Sequence, residues 1–293
     1  MPDSTSGRTL RLADGRSLGY AVGGDPNGRP LFFFHGFPGS RLQAHVLYEA
    51  ASRSRASVIS LDRPGFGLSD YKRGRRINDW PSDVAEAADA LEIDRFAVAG
   101  FSGGGPYALA CAQSIPQRLT GVAAISSIAP LDGPGVAASL TRRARTFLRI
   151  ARYTPLTSAL SLYWLERQAR RNPERLIARL AARSPPADGA LLRRPEVMTA
   201  LADDLREAFR TGTRGPNWDL GMLSRPWGFR VEEIPVRVHL WHGDADTLVP
   251  SAAAHYLAGA IPDCDARFYA DEGHFLILDR ERAKQIMAAL SSG

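Results

Sequence analysis

Cysteine is nearly absent from this chain. Its 293 residues hold two, Cys111 and Cys264, which form neither a disulfide framework nor a metal-ligand spacing. Cys111 lies in an Ala-rich helical run and reads as a small core residue. Lysine is as scarce, at Lys72 and Lys284 alone, so the net charge of +6 is carried by arginine. No apolar run reaches the length of a membrane span, and the opening MPDSTSGRTLRLADG lacks the apolar stretch of a secretion signal. The expectation is a soluble cytoplasmic protein without stable membrane insertion. Charged residues make up only 23% of the chain, which excludes disorder at chain scale, and 44% are hydrophobic. That is enough for one sizeable α/β domain with room for an insertion.

Many arginines fall between Arg142 and Arg230, in blocks such as TRRARTFLRIAR and ERQARRNPERLIARLAAR. Arginine interleaved with Leu, Ile and Ala at helical spacing reads first as a solvated helix face. Sharper readings are attraction of anionic substrates or contact with an anionic surface. No nucleic-acid-binding motif accompanies the charge, so nucleic acid is not an expected partner. No feature fixes an oligomeric state.

Along the chain, TLRLADGRSLGYAVGG gives two short alternating runs about a DG turn, a hairpin signal. Leu31 to Phe34 is a continuous apolar run, as in a strand buried on both faces. A helical segment from about Arg41 to Ser54 precedes a second buried strand, ASVISLD, and the loop RPGFGLSDYKRGRR. Next comes a helix with Asn78 or Asp79 as cap and Pro81 in its first turn. Phe96–Gly100 reads as strand, about Gly104–Ile115 as helix, and TGVAAISSIAP as strand. From 131 to 233 the pattern is helical, broken by SPPADG and RTGTRGPNWDLG, and reads as an inserted cap. Alternation then resumes with VRVHLWHGD, a helix near Ser251–Ala260, the strand ARFYAD and a last helix from about Asp279. The prediction is a doubly wound, mostly parallel α/β sheet, with a core at 1–130 and 234–293 and a helical cap at 131–233.

Open parallel sheets bind ligands beyond the carboxyl ends of their strands. Four suggestive groups stand at such ends: HGFPG, Ser102 in RFAVAGFSGGGPYALACA, Asp246 in HGDADTLVP, and His274 in DEGHF. Gly100-Phe101-Ser102-Gly103-Gly104 follows a strand and opens a helix, the context of a nucleophile elbow. There the residues two before and two after the serine must be small, and the helix N-terminus favours developing negative charge. Two competing readings fail. Gly103-x-Gly105-x-x-Ala108 matches a relaxed dinucleotide fingerprint, but no acidic residue occurs between Gly105 and Leu131 to hold a ribose. A phosphate-binding P-loop would need a following lysine, which is missing. No cofactor and no metal are expected.

A serine hydroxyl needs a base, and the base an orienting acid. His35 and His242 precede glycines at strand ends and read as loop-shaping residues. His45 and His255 lie on expected helices, and His239 inside a strand. His274 alone lies between the last strand and the last helix, and it is the expected base. Asp246 is the expected acid, with Asp244 and Asp132 as rivals; Asp62 reads as a structural turn residue near the elbow. The chain order Ser, Asp, His is that of this architecture. The N–H groups of Gly103 and Phe37 are the expected oxyanion donors, since Pro38 has none. Trp164, Trp218 and Trp227 in the cap are candidates for lining an apolar substrate pocket.

HGFPG, DRPGFGLSD, GFSGGG, HGDADTLVP and EGHF, in that order, resemble the α/β-hydrolase fold superfamily over roughly residues 8 to 291. The resemblance implies Ser102 as nucleophile, His274 as base, Asp246 as acid, and Phe37 and Gly103 as oxyanion donors. Serine at the elbow argues against haloalkane dehalogenases and epoxide hydrolases, which place aspartate there. Gly103 departs from the G-x-S-W-G of prolyl iminopeptidases. The implied activity is cleavage of an ester-like bond in a small apolar molecule through an acyl-enzyme. Carbon–carbon bond hydrolases, cofactor-free haloperoxidases and a ligand-binding receptor on a hydrolase scaffold are the alternatives.

Overall fold

The computed structural model describes residues 7–290. Its strands are β1 (Arg8–Arg11), β2 (Ser17–Gly24), β3 (Arg29–Phe34), β4 (Ala56–Leu61), β5 (Phe96–Phe101), β6 (Leu119–Ile125), β7 (Val238–Gly243) and β8 (Cys264–Tyr269). They form one sheet in the order β1-β2-β4-β3-β5-β6-β7-β8. The hairpin β1–β2 is antiparallel and β2 pairs antiparallel with β4; every later pairing is parallel. The reversal of strand order at β3–β4 puts a crevice beyond the carboxyl ends of the central strands.

The continuous apolar runs have a direct physical cause. Alternate residues of a strand point to opposite faces, and here both faces are covered. Phe32 and Phe34 of β3 enter one core, and Leu31 and Phe33 the other. The helices are α1 (Tyr48–Arg53), α2 (Trp80–Ala90), α3 (Gly105–Ser114), α4 (Val136–Ser139), α5 (Arg142–Tyr153), α6 (Pro155–Arg171), α7 (Pro173–Arg183), α8 (Pro186–Leu192), α9 (Pro195–Ala208), α10 (Arg214–Leu223), α11 (Ser251–Ala260) and α12 (Arg280–Leu290). α2, α3 and α11 cover the first face through Val84, Leu109 and Leu257, and α1 and α12 the second through Ala51 and Ile286. The helix expected from Arg41 to Ser54 is divided, with a 3-10 segment at Arg41–Leu47 before α1.

The seven helices α4–α10 lie between β6 and β7 and form a cap. They are rooted unequally. Ile177, Leu191, Val197 and Leu201, from α7 to α9, join the second core of the sheet. α5 and α6 instead meet α10 in a smaller cluster around Ala151, Leu162 and Leu220, and α10 alone of these three joins the first core, through Met222 and Leu223. No helix among the described residues is long and apolar enough to cross a membrane.

Candidate active site

β5 ends in a bend that places Ser102 in the left-handed region, at φ 53°. A non-glycine residue there costs energy and persists only where its surroundings enforce it. The neighbours show how. A Cβ on Gly100 would run into the Gly104 backbone, and one on Gly104 into the Phe34 carbonyl. A Cβ on Gly105 would run into the Ser127 side chain, which gives that glycine a specific reason. The α3 amino end follows directly, aiming its positive dipole end at the bend.

His274 follows β8, and its main chain is held on both sides. Its N–H donates to Asp188 Oδ2 at 2.8 Å, and its carbonyl accepts from Ser126 Oγ at 2.8 Å. Phe275 N–H donates to Asp188 Oδ1 at 3.0 Å. Its ring packs against Phe101 and Phe275, and Nδ1 lies 2.7 Å from Asp246 Oδ2. Asp246 is fixed in turn: its Oδ1 accepts the N–H groups of Leu248 and Val249, both at 2.8 Å. Its carboxylate accepts without donating when ionised, so the His274 proton belongs on Nδ1 and Nε2 is left basic. His242 stands behind, with Nε2 donating to the Val249 carbonyl at 3.0 Å. Burial pushes its imidazole below the usual histidine range, which favours the neutral ring.

The loop after β3 carries Phe37, whose N–H has no protein acceptor among the described residues. A Cβ on Gly103 would stand 3.4 Å from that nitrogen, so the Phe37 and Gly103 backbones are neighbours. Arg63 donates to the carbonyls of His35 and Gly36, and Gly36 N–H donates to Gln43 Oε1 at 2.6 Å. Arg63 is itself bound to Asp219 of α10, which also accepts from Arg75 and Tyr107. Burial alone would raise the Asp219 carboxyl, but Arg63 and Arg75 outweigh it and hold the group at about 2. A single buried carboxylate of the cap thus clamps the loop that carries Phe37.

Ser102, Gly103, Phe37 and His274 line one cavity of about 290 Å³. No direct hydrogen bond joins Ser102 to His274 among the described residues; free enzymes often hold such pairs loosely and tighten them around substrate. Leu140, Phe147 and Leu148 form much of the roof, and the cavity's only polar side chains are Ser102, Ser139 and His274. No group of three or more His, Cys, Asp or Glu placed for a metal ion occurs among the described residues.

The sequence candidates thus fall into two sets. Ser102, His274, Asp246, Phe37 and Gly103 come together. The three tryptophans do not line this cavity. Trp164 is 57% exposed on the outer side of α6, beside Leu156, Leu160 and Tyr163. The Trp218 indole N–H donates to the Arg75 carbonyl, and Trp227 is buried against Phe229. Of the rivals to Asp246, Asp244 lies 3.9 Å from His255. Asp132 lines a neighbouring cavity. Asp62 is wholly buried and accepts from Arg41 and from Leu68 N–H, bracing the loop after β4 as expected. Asp188, Asp219 and Arg63 were not singled out from sequence. Arg63 stands inside the quoted DRPG, and Asp188 inside SPPADG, read there only as a break.

Comparison with known proteins agrees with this architecture. A family model described as alpha/beta hydrolase fold matches residues 29–281. The chain is 36% identical over 107 residues to a probable proline iminopeptidase of Leptolyngbya boryana, covering 35% of this chain and 33% of that protein. It is 36% identical over 116 residues to the pimeloyl-[acyl-carrier protein] methyl ester esterase of Legionella pneumophila (strain Paris), covering 38% and 44%. The matches thus span between a third and a half of the length of these curated relatives. Among solved structures, a hydrolase from Pseudomonas aeruginosa PA01 superposes with a TM-score of 0.71 at 19% identity, covering 99% of this chain and 98% of that one. The sheet order, the left-handed serine after β5 and the match across residues 29–281 lead to one conclusion: the chain belongs to the alpha/beta hydrolase fold family.

Proposed function

We propose that this chain is a serine hydrolase that cleaves an ester-like bond (ester, lactone or thioester) in a small, largely apolar molecule through an acyl-enzyme. One observation carries the reading. Ser102 is held at a left-handed bend and faces the same cavity as His274, whose Nδ1 is bonded to Asp246. In the reaction Ser102 Oγ attacks the carbonyl carbon while His274 Nε2 takes the hydroxyl proton. The imidazolium is stabilised by Asp246, which also fixes the tautomer. The tetrahedral oxyanion is held by the N–H groups of Phe37 and Gly103, and losing one such donor costs about 3 kcal/mol in the barrier. His274 then protonates the leaving alcohol or thiol, deprotonates a water, and returns the proton to Ser102 when the acyl group departs.

The related esterase supports an acyl-transfer reading, and the uncharged cavity favours an apolar chain next to the reacting carbonyl. The test is a panel of acyl p-nitrophenyl esters, lactones and diketones run on the wild-type chain beside Ser102→Ala. Turnover of esters or lactones that drops by at least about a thousandfold in the variant supports the reading. Diketone cleavage alone, or ligand-dependent thermal stabilisation with no turnover of any class, contradicts it.

A further inference from the structure

A second cavity, of about 530 Å³, adjoins the one that holds Ser102, and Leu131, Leu140 and Leu148 line both. α5 is the partition. Its residues Ala144, Phe147 and Leu148 line the Ser102 cavity. Arg145, Arg149 and Arg152, spaced i, i+4, i+7 on one helix face, line the other, joined by Arg225. One short helix thus separates an uncharged chamber from a cationic one.

The four guanidinium groups have no carboxylate partner among the described residues. Their contacts are of a kind that fixes position without cancelling charge. Arg145 Nη2 donates to the carbonyls of Ala138 and Leu140, both at 3.1 Å. Arg225 Nη2 donates to the Arg152 carbonyl at 3.0 Å, and the Arg152 guanidinium lies 5.0 Å from the Tyr153 ring centre. Asp132, the one acid on this wall, bonds to none of them. Residues 131–171 hold eight arginines against Asp132 and Glu166, a net of +6 equal to that of the whole chain. Like charges grouped around an open cavity repel one another. An oxyanion that accepts paired N–H donors from guanidinium forks reverses the sign of that interaction.

We propose that this second cavity is an anion subsite. It takes the carboxylate or phosphate group of an amphiphilic ester whose apolar chain passes the shared leucines to bring its carbonyl to Ser102. The second half of this statement rests on the hydrolase reading; anion binding itself does not.

The experiment uses the full chain with Ser102→Ala, so that binding is read without turnover. Calorimetry follows monomethyl esters of dicarboxylic acids, alkyl phosphates and uncharged methyl alkanoates, each with chains of about six to ten carbons. We expect the anionic compounds to bind at least about tenfold more tightly than the neutral ones, an advantage that shrinks from about 0.05 M to about 0.5 M NaCl. Adding Arg149→Gln and Arg152→Gln should remove that advantage and leave affinity for neutral esters within about twofold. The relative affinity of monoester and alkyl phosphate identifies the preferred head group. Equal affinity for charged and neutral compounds, or an arginine variant that weakens both alike, overturns the subsite. A parallel assay on the Ser102 chain separates the two claims. If it turns over no ester while charge-selective binding persists, the hydrolase reading fails and the subsite stands.

Discussion

Arginine does opposite things below and above the Ser102 cavity. Below it, Arg41, Arg63 and Arg75 are buried, and each meets a carboxylate: Asp62 and Glu207 for the first, Asp219 for the other two. Above it, among the described residues, Arg145, Arg149 and Arg152 meet only carbonyls, an aromatic ring or solvent. A buried charge without a partner is expensive, so the lower arginines exist only as matched groups. Exposed arginines carry no such requirement and keep their charge available to a ligand. The floor, which joins core arginines to carboxylates of α9 and α10, is therefore a structural polar layer, and the roof arginines keep their charge without a carboxylate partner among the described residues.

The sharpest way to break that contrast is Asp219→Ala. It strands Arg63 and Arg75 in the interior and should cost about 3 to 5 kcal/mol, read by urea or thermal unfolding. A loss under about 1 kcal/mol would mean that the floor is not a matched layer.

Asp188→Ala comes next. Two buried N–H groups, of His274 and Phe275, lose their acceptor, for about 2 kcal/mol or more of stability. Ester turnover should fall more steeply than stability predicts, because the His274 loop is released; Asp188→Asn, which keeps an acceptor oxygen, should recover part of it. Equal damage from both variants would contradict a positioning role.

These two acids show what the sequence concealed. The elbow was legible because strand, serine and small residues are contiguous, and their spacing carries the steric argument. His274 and Asp246 were legible from their places after strands, even though 28 positions separate them. Asp188 acts on groups 86 and 87 positions away, and Asp219 on an arginine 156 away. Nothing local marks either one, since a turn acid and a helix acid look alike whatever they later meet. The tryptophans failed for a related reason. Aromatic character predicts burial or contact, but not which side of a helix faces the cavity, and Ala144, Phe147 and Leu148 of α5 took that role. The sheet was legible almost throughout because two-sided burial writes unbroken apolar runs; the 3-10 entry to α1 left no periodic mark.

A smaller effect tests the floor by pH. Burial lifts the Asp204 carboxyl to about 7, with the Asp62 charge adding to the shift against donors from Ser40 and Gln43. Between about pH 4 and about pH 7 the folded chain then holds a proton that the unfolded chain releases. This group therefore makes stability fall as pH rises through that window and level off above it. Relative to Asp204→Asn, the wild-type chain should lose stability from pH 5 to pH 8, as seen in unfolding midpoints; parallel curves would contradict the assignment.

The smallest effect belongs to the roof. Arg149→Gln with Arg152→Gln should shift unfolding stability by no more than about 0.5 kcal/mol, whatever it does to anion binding. A large destabilisation would make these arginines structural, like those below.

The central claim is that Ser102 is the nucleophile. Reacting the chain with a fluorophosphonate and locating the adduct by peptide mass spectrometry tests it most directly. The account predicts one phosphonyl group on Ser102 and no labelling of Ser102→Ala. Labelling that survives in the variant, or an adduct on another residue, would contradict it.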